Sequence, residues 1–460
     1  MDPIYDIVDF IEDLGYDDLP QEVVQLVKWD LLDFCGNTMA GSADPSVRRA
    51  AELYEGWGGT EEATVLLDGR RLPAVHAALI NGAKSFAVDF DDTHMQGGHI
   101  GVSVFPAALA AAEIRGGVSG REFIAAAAGA MEFMVRLGVY NARRVERHIF
   151  GGWEYHGLHA GFAAAAAAGR LLGLDREKML NAMGIAYYQA SGTGLAALEH
   201  ADTKLLGPGL GARDGLTAVF MARSGMTGAH NVLGGDYGLG SMYHSGCNGE
   251  GMVSELGRRW EMLNIGFKPY ASCRLGHRTL AAIGSLVREN GIVPEEAERV
   301  DIMCSRRVME QLYDPAEVTK HPKTRSAAVF SLPWAVASLI GHGRVGPSEL
   351  SEEALGDART LALAQRVFAE VNPATAPSDH SQPQRVSITT RRGVFEALTP
   401  REAPGDRGSR MTQEELEQKY WDNAALCAKA MEREKESAIL ELANGLESCS
   451  DVAELVGLMS

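Results

Sequence analysis

The chain has 460 residues, 46% hydrophobic and 23% charged, a balance that suits a globular protein long enough for two domains and excludes a disordered or fibrous one. A formal charge of −18 with no basic stripe excludes a nucleic-acid-binding surface, because phosphate recognition needs clustered lysine and arginine. An anionic small molecule would need a local basic pocket.

Cys35, Cys247, Cys273, Cys304, Cys427 and Cys449 stand far apart with no Cys-x-x-Cys pair, which suits a reducing compartment. The opening Met1-Asp2-Pro3 does not resemble a leader. The richest apolar run, residues 161–169, falls well short of the roughly 18 to 20 residues a membrane span needs. The expectation is a cytoplasmic protein without a membrane partner.

From residue 5 to 260 the apolar residues recur at helical spacing, as in Val23, Val24, Val27, Leu31 and Leu32, and again from Phe123 to Leu137. Alanine runs at 107–112 and 163–168 predict central helices packed closely, with Pro106 in the first turn of the helix it opens.

Between apolar segments lies Ala87-Val-Asp-Phe-Asp-Asp-Thr-His-Met-Gln-Gly-Gly-His99, with three carboxylates, two imidazoles and a hydroxyl. So many polar groups can face an interior only if they are paired. If 86–93 is helical, Asp89 and Thr93 share one face, Asp91 points elsewhere, and Gly97-Gly98 returns His99 to be oriented by Asp89 for acid–base work. Two other readings are a network that satisfies helix ends and a metal site built on Asp89, Asp91, Asp92 and His94.

Further along, His156 and His159 are one turn apart, His159 taken alone reading more readily as a packed helix histidine than as a ligand. Gly192-x-Gly194 lacks the strand and acidic partner of a dinucleotide site. Lys204 precedes a Gly-Pro-Gly turn and a helix expected near Leu210, where an ammonium and a helix start would make an anion site, although a surface lysine at a turn is the commoner case. Lys268, Arg274, His277 and Arg278 fall within eleven positions, either as a basic pocket or as a solvated helix face; Pro269 stiffens the loop presenting Lys268 and Tyr270.

After Gly266, residues 299–305 and 384–391 alternate in period two and predict strands, while 331–340 and 351–370 predict helices. The Pro- and Gly-rich stretch 400–409 reads as a return linker, and 411–460 is helical again behind a Thr412-x-x-Glu415 capping box. The expected fold is mainly α: an all-helical domain over 1–265 completed by 405–460, and a smaller α+β lid over 266–404.

Several motifs resemble those of the MmgE/PrpD family. They are Asp89-Phe-Asp-Asp-Thr93 with His99-x-Gly101, Gln189-Ala-Ser191-Gly, Thr203-Lys204, Gly209-x-x-Ala-Arg213-x-Gly215, Lys268-Pro-Tyr270-x-x-Cys273-Arg274-x-x-His277, and Phe330-Ser-Leu-Pro333. They run through nearly the whole chain in the family's order. That family includes 2-methylcitrate dehydratase, cis-aconitate decarboxylase and iminodisuccinate epimerase. The resemblance implies a homodimer acting on a small di- or tricarboxylate with no metal or organic cofactor, a helical domain with an α+β lid, and roles for Asp89, Thr93, His99, Lys204 and Lys268. Tyr270 and His277 belong to the same lid motif. Two features depart from the pattern. Gly207 stands where the family often has a histidine, and His156-Gly-Leu-His159 precedes its alanine run at shorter spacing, leaving open which histidine is the equivalent.

The expected function is a cofactor-independent lyase, in the first place a dehydratase, that moves a proton next to a carboxylate. Lys204 and Lys268, with Arg274, would neutralise the substrate, and His99 would act as base or acid against Asp89. Thr93, His159 and His277 would bind substrate, and Tyr270 or His156 would handle the opposing proton. Epimerisation and decarboxylation use the same groups. A metal-dependent enzyme or a non-catalytic carboxylate binder are the readings of another class.

Overall fold

A computed structural model describes residues 1–141, 152–375 and 382–460. The protein is mainly α, 59% helical, with a smaller α+β part. One core gathers Leu31, Phe34, Phe86, Phe105, Phe123, Phe162 and Leu216, together with Leu416, Tyr420, Ile439 and Val456 from the C-terminal helices. A second core holds Leu280, Ile302, Phe330, Trp334, Val367 and Ile388.

Small residues let the central helices approach closely. Helices Ala74–Phe86 and Gly207–Arg223 cross where a Cβ on Gly82 would lie 2.7 Å from the Gly209 Cα, so any side chain there would push the backbones apart. Pro106 lies inside the Gly101–Arg115 helix, not in its first turn. The helix starts earlier because the Asp92 carboxylate accepts hydrogen bonds from the Ile100 and Gly101 N–H groups at 2.9 and 3.0 Å. Helix Gly120–Tyr140 is long and apolar enough to cross a membrane, but 89% of its apolar window is buried inside the protein, as expected for a core helix.

The larger sheet has the order Val367–Val371, Arg299–Cys304, Arg385–Thr390, Gly393–Leu398, with the first pair parallel and the others antiparallel. The two period-two segments are strands as expected. The stretch 351–370 is not one helix. Short helices Glu352–Leu355 and Ala358–Ala364 give way to strand Val367–Val371, whose hydrogen bonds to the neighbouring strand outweigh the local helical spacing. The Thr412–Glu415 capping box forms and starts helix Gln413–Ala424. From that helix Lys419 donates to the Phe90 carbonyl at 2.5 Å and pairs with Asp33 at 2.7 Å, clamping the C-terminal segment onto the first core.

Candidate active site

Helix Ala74–Phe86 ends at Phe86 and does not continue to Thr93. The Asp89 N–H donates to the Phe86 carbonyl, and Asp89 itself adopts φ +48°, the left-handed region that aspartate tolerates better than most side chains. Asp92 and Thr93 then pair antiparallel with Phe267 and Gly266. That pairing delivers Lys268 into the acidic turn. Its Nζ donates to the Asp89 carbonyl at 2.9 Å and to Asp89 Oδ1 at 2.7 Å, and lies 3.5 Å from Asp91 Oδ1, with 1% of the side chain exposed.

Because the turn reverses the chain, the carboxylate that holds His99 is Asp91 and not Asp89. His99 Nδ1 sits 2.6 Å from Asp91 Oδ2. Asp89 is shared instead by Lys268 and Lys204, whose Nζ is 3.3 Å from Asp89 Oδ1. Lys204 comes from a short 3₁₀ turn, Asp202–Leu206, and the helix after it starts at Gly207, earlier than the expected Leu210. Its ammonium lies 4.0 Å from the centre of the Phe86 ring and 4.9 Å from that of Phe330, and it makes no hydrogen bond among the described residues.

His156 enters on a π-helical turn, His156–Ala160, that runs into helix Gly161–Leu171. Its ring is 5.3 Å from that of His99 and 4.8 Å from Phe86. Gly207 leaves the room for it, since a Cβ there would stand 3.2 Å from the imidazole. His159 turns away, placing Nε2 3.4 Å from His244 Nε2, so His156 is the histidine that faces the site.

These groups line a cavity of about 90 Å³ between the two cores, walled on one side by Phe86, Asp89, His99, His156 and Lys204, and on the other by Cys273, Arg274, Arg307 and Phe330. Four sequence candidates are not among its lining residues. Thr93 lies in the strand pair. His159 packs against His244. Tyr270 and His277 meet edge to face at 5.3 Å beside the second core, because the neighbouring Ala271 and Cys273 N–H groups are tied to the Val345 and Val329 carbonyls. Of the basic cluster, Lys268 and Arg274 reach the cavity. Arg274 is already paired with Asp406, while Arg278 donates to the Gln382 and Pro400 carbonyls. Glu154, Arg307 and Gln311 also line the cavity and were missed. Glu154 carried a signal in standing two residues from His156; Arg307, in the first turn of a short helix, carried none.

Burial works against charge on Asp89, yet the Lys204 and Lys268 ammoniums outweigh it and hold this carboxyl far below the usual range. Burial likewise opposes Asp91, where His99 and Lys268 prevail. Burial drives His156 well below the ordinary histidine value, with the charges of His99 and Lys204 adding to the effect, so it is a neutral imidazole. Burial takes His277 down to about 3. The Cys273 thiol is raised by burial and then by Asp89, unlike an activated nucleophile.

The metal set Asp89, Asp91, Asp92 and His94 does not assemble. Asp92 caps a helix, and His94 Nδ1 accepts from the Gln96 and Gly97 N–H groups. Asp89, Asp91 and His99 do converge within 4.8 Å of one another, but Lys268 already supplies the cation for the two carboxylates. The constellation can hold an anion at Lys204 and pass a proton through His99, whose tautomer Asp91 sets.

The MmgE/PrpD N-terminal domain matches residues 5–249, and the MmgE/PrpD C-terminal domain matches residues 270–444. The chain belongs to the MmgE/PrpD family. Curated relatives include the cis-aconitate decarboxylase-like protein oryM of Aspergillus oryzae, 26% identical over 99% of this chain and 96% of the relative. The cis-aconitate decarboxylase of Aspergillus terreus is 30% identical over 67% of this chain and 64% of the relative. The cis-aconitate decarboxylase of Homo sapiens is 24% identical over 96% and 91%. This MmgE/PrpD protein is an enzyme of the lyase type.

Proposed function

We propose that this MmgE/PrpD lyase decarboxylates a small tricarboxylate of the cis-aconitate type without a cofactor. The observation that carries the reading is the Lys204 ammonium, buried over two aromatic rings and facing the cavity, which shares the Asp89 carboxylate with Lys268 and makes no hydrogen bond among the described residues. A buried donor left so is costly unless a ligand completes it, and a carboxylate is the complement of an ammonium. The relatives named as cis-aconitate decarboxylases support decarboxylation.

In this reading Lys204 binds one substrate carboxylate, while Lys268 holds Asp89 and Asp91 in place and is a positioning residue. As the carbon–carbon bond to the departing carboxylate breaks, its electron pair becomes the new double bond. The former double bond takes a proton from His99 Nε2, and carbon dioxide leaves. One proton is consumed, so His99 is reprotonated from solvent. Arg274 and Phe330 close the lid side and exclude water. The His99–Asp91 pair favours a second reading, dehydration of a 2-methylcitrate-like acid, because an imidazole oriented by a carboxylate also suits proton abstraction next to a carboxylate. The two cores would correspond to a helical domain, 1–265 with 405–460, and a lid, 266–404. A cytoplasmic homodimer completes the proposal, testable by light scattering.

Purified protein incubated with cis-aconitate, citrate, 2-methylcitrate and iminodisuccinate, followed by proton NMR in deuterated water and carbon dioxide release, tests the reaction. Carbon dioxide with deuterium at one carbon supports decarboxylation. Water loss alone supports the second reading. No turnover with a raised Tm would reject both in favour of a non-catalytic binder.

A further inference from the structure

Asp89 and Glu154 line the cavity and Asp91 lies behind His99; of these three carboxylates, two have cations of their own. Asp89 is shared by Lys204 and Lys268, and Asp91 holds His99. The third, Glu154, takes no hydrogen bond or ion pair through its side chain from the described residues, while its carbonyl accepts from the Gly157 and Leu158 N–H groups and so anchors the turn that carries His156. An ionised, unpaired carboxylate in a pocket for a polyanion would repel its ligand. A neutral carboxyl would instead donate a hydrogen bond.

Resting on the proposed tricarboxylate substrate, we infer that Glu154 binds in its neutral acid form and donates its O–H to a second substrate carboxylate, between the cations of Lys204 and Arg307. The charged groups facing Glu154 are Lys204 from the 3₁₀ turn, Asp89 and His99 from the acidic turn, Lys268 beyond the strand pair, and Arg274 and Arg307 from the lid; His156 beside it is neutral. Burial raises the Glu154 carboxyl to about 7, against the pull of Lys204, and the Asp89 charge adds to the rise. An arriving carboxylate raises it further, so binding above neutrality draws in a proton. The site thereby selects acids with at least two carboxylates, one for Lys204 and one for Glu154.

Glu154→Gln keeps a donor but cannot ionise, and this separates the role from mere packing. Tricarballylate, a saturated tricarboxylate, reports binding without turnover. Calorimetry at pH 8 in two buffers of different ionisation enthalpy should show wild type taking up a proton on binding and Glu154→Gln taking up none. The wild-type Kd should rise about tenfold per pH unit above pH 7, while that of Glu154→Gln stays flat and matches wild type near pH 6. Proton uptake by the variant equal to that of wild type, or parallel pH dependences, would overturn the inference. If Glu154→Gln does not fold, absence of proton uptake by wild type overturns the inference, uptake that persists in His99→Ala supports it, and uptake lost in His99→Ala overturns it. Inactivity of wild type toward every acid in the turnover screen would reject the reaction while leaving this binding test standing.

Discussion

Lys204 and His99 divide the work at the residue scale, and their variants should fail differently. Lys204→Met removes the buried ammonium but keeps its bulk; the expected outcome is a KM raised at least about tenfold and loss of the Tm increase caused by tricarballylate. His99→Ala should lower kcat by about 10² to 10⁴ with the Tm little changed, as for removal of a positioned acid–base group. Gly207→His tests the departure from the family pattern. Its Cβ would start 3.2 Å from the His156 ring, so the imidazole must move, and activity should fall while circular dichroism stays native. The residues His99, His156, Lys204 and Lys268 stood out in the sequence by their chemistry. Which carboxylate serves which cation did not, because a helix to Thr93 would have turned Asp91 away from His99.

At the scale of elements, the decisive feature is a strand pair of only two residues on each side. Asp92–Thr93 against Gly266–Phe267 joins segments some 170 positions apart and lays Lys268 between two buried carboxylates. Lys268→Ala should therefore act on stability before it acts on binding. It leaves Asp89 and Asp91 short of a buried cation, a loss of about 3 to 5 kcal/mol in urea unfolding, which would show first as a fall in Tm. The long helices, the period-two strands and the capping box were legible because each is written in contiguous residues. The end of the helix at Phe86 was not, since a left-handed aspartate and a pairing from distant sequence override local propensity.

For the whole molecule, burial of neutral histidines ties stability to pH. His277 is held at about 3 when folded against an ordinary 6.5, so between those values the unfolded chain binds a proton that the folded one refuses. Stability from this group is complete above pH 6.5 and is lost as pH falls through the window. Glu154, raised to about 7, works the other way between its ordinary 4.5 and 7, so the informative quantity is a difference between variants. Measured against His277→Gln, wild type should lose about 1.4 kcal/mol per pH unit below 6.5; parallel stability curves would refute this assignment.

The sequence by itself determined the class of fold, the family resemblance and the stretch where chemistry concentrates, since periodicity, capping and motif order are properties of neighbouring residues. Only the tertiary structure decided that Asp91 serves His99, that His156 and not His159 faces the cavity across Gly207, that Tyr270 and His277 stay outside the cavity, and that Glu154 and Arg307 join the site. Those choices depend on which remote segments pack together, and burial and charge at that meeting place then set the protonation of each group.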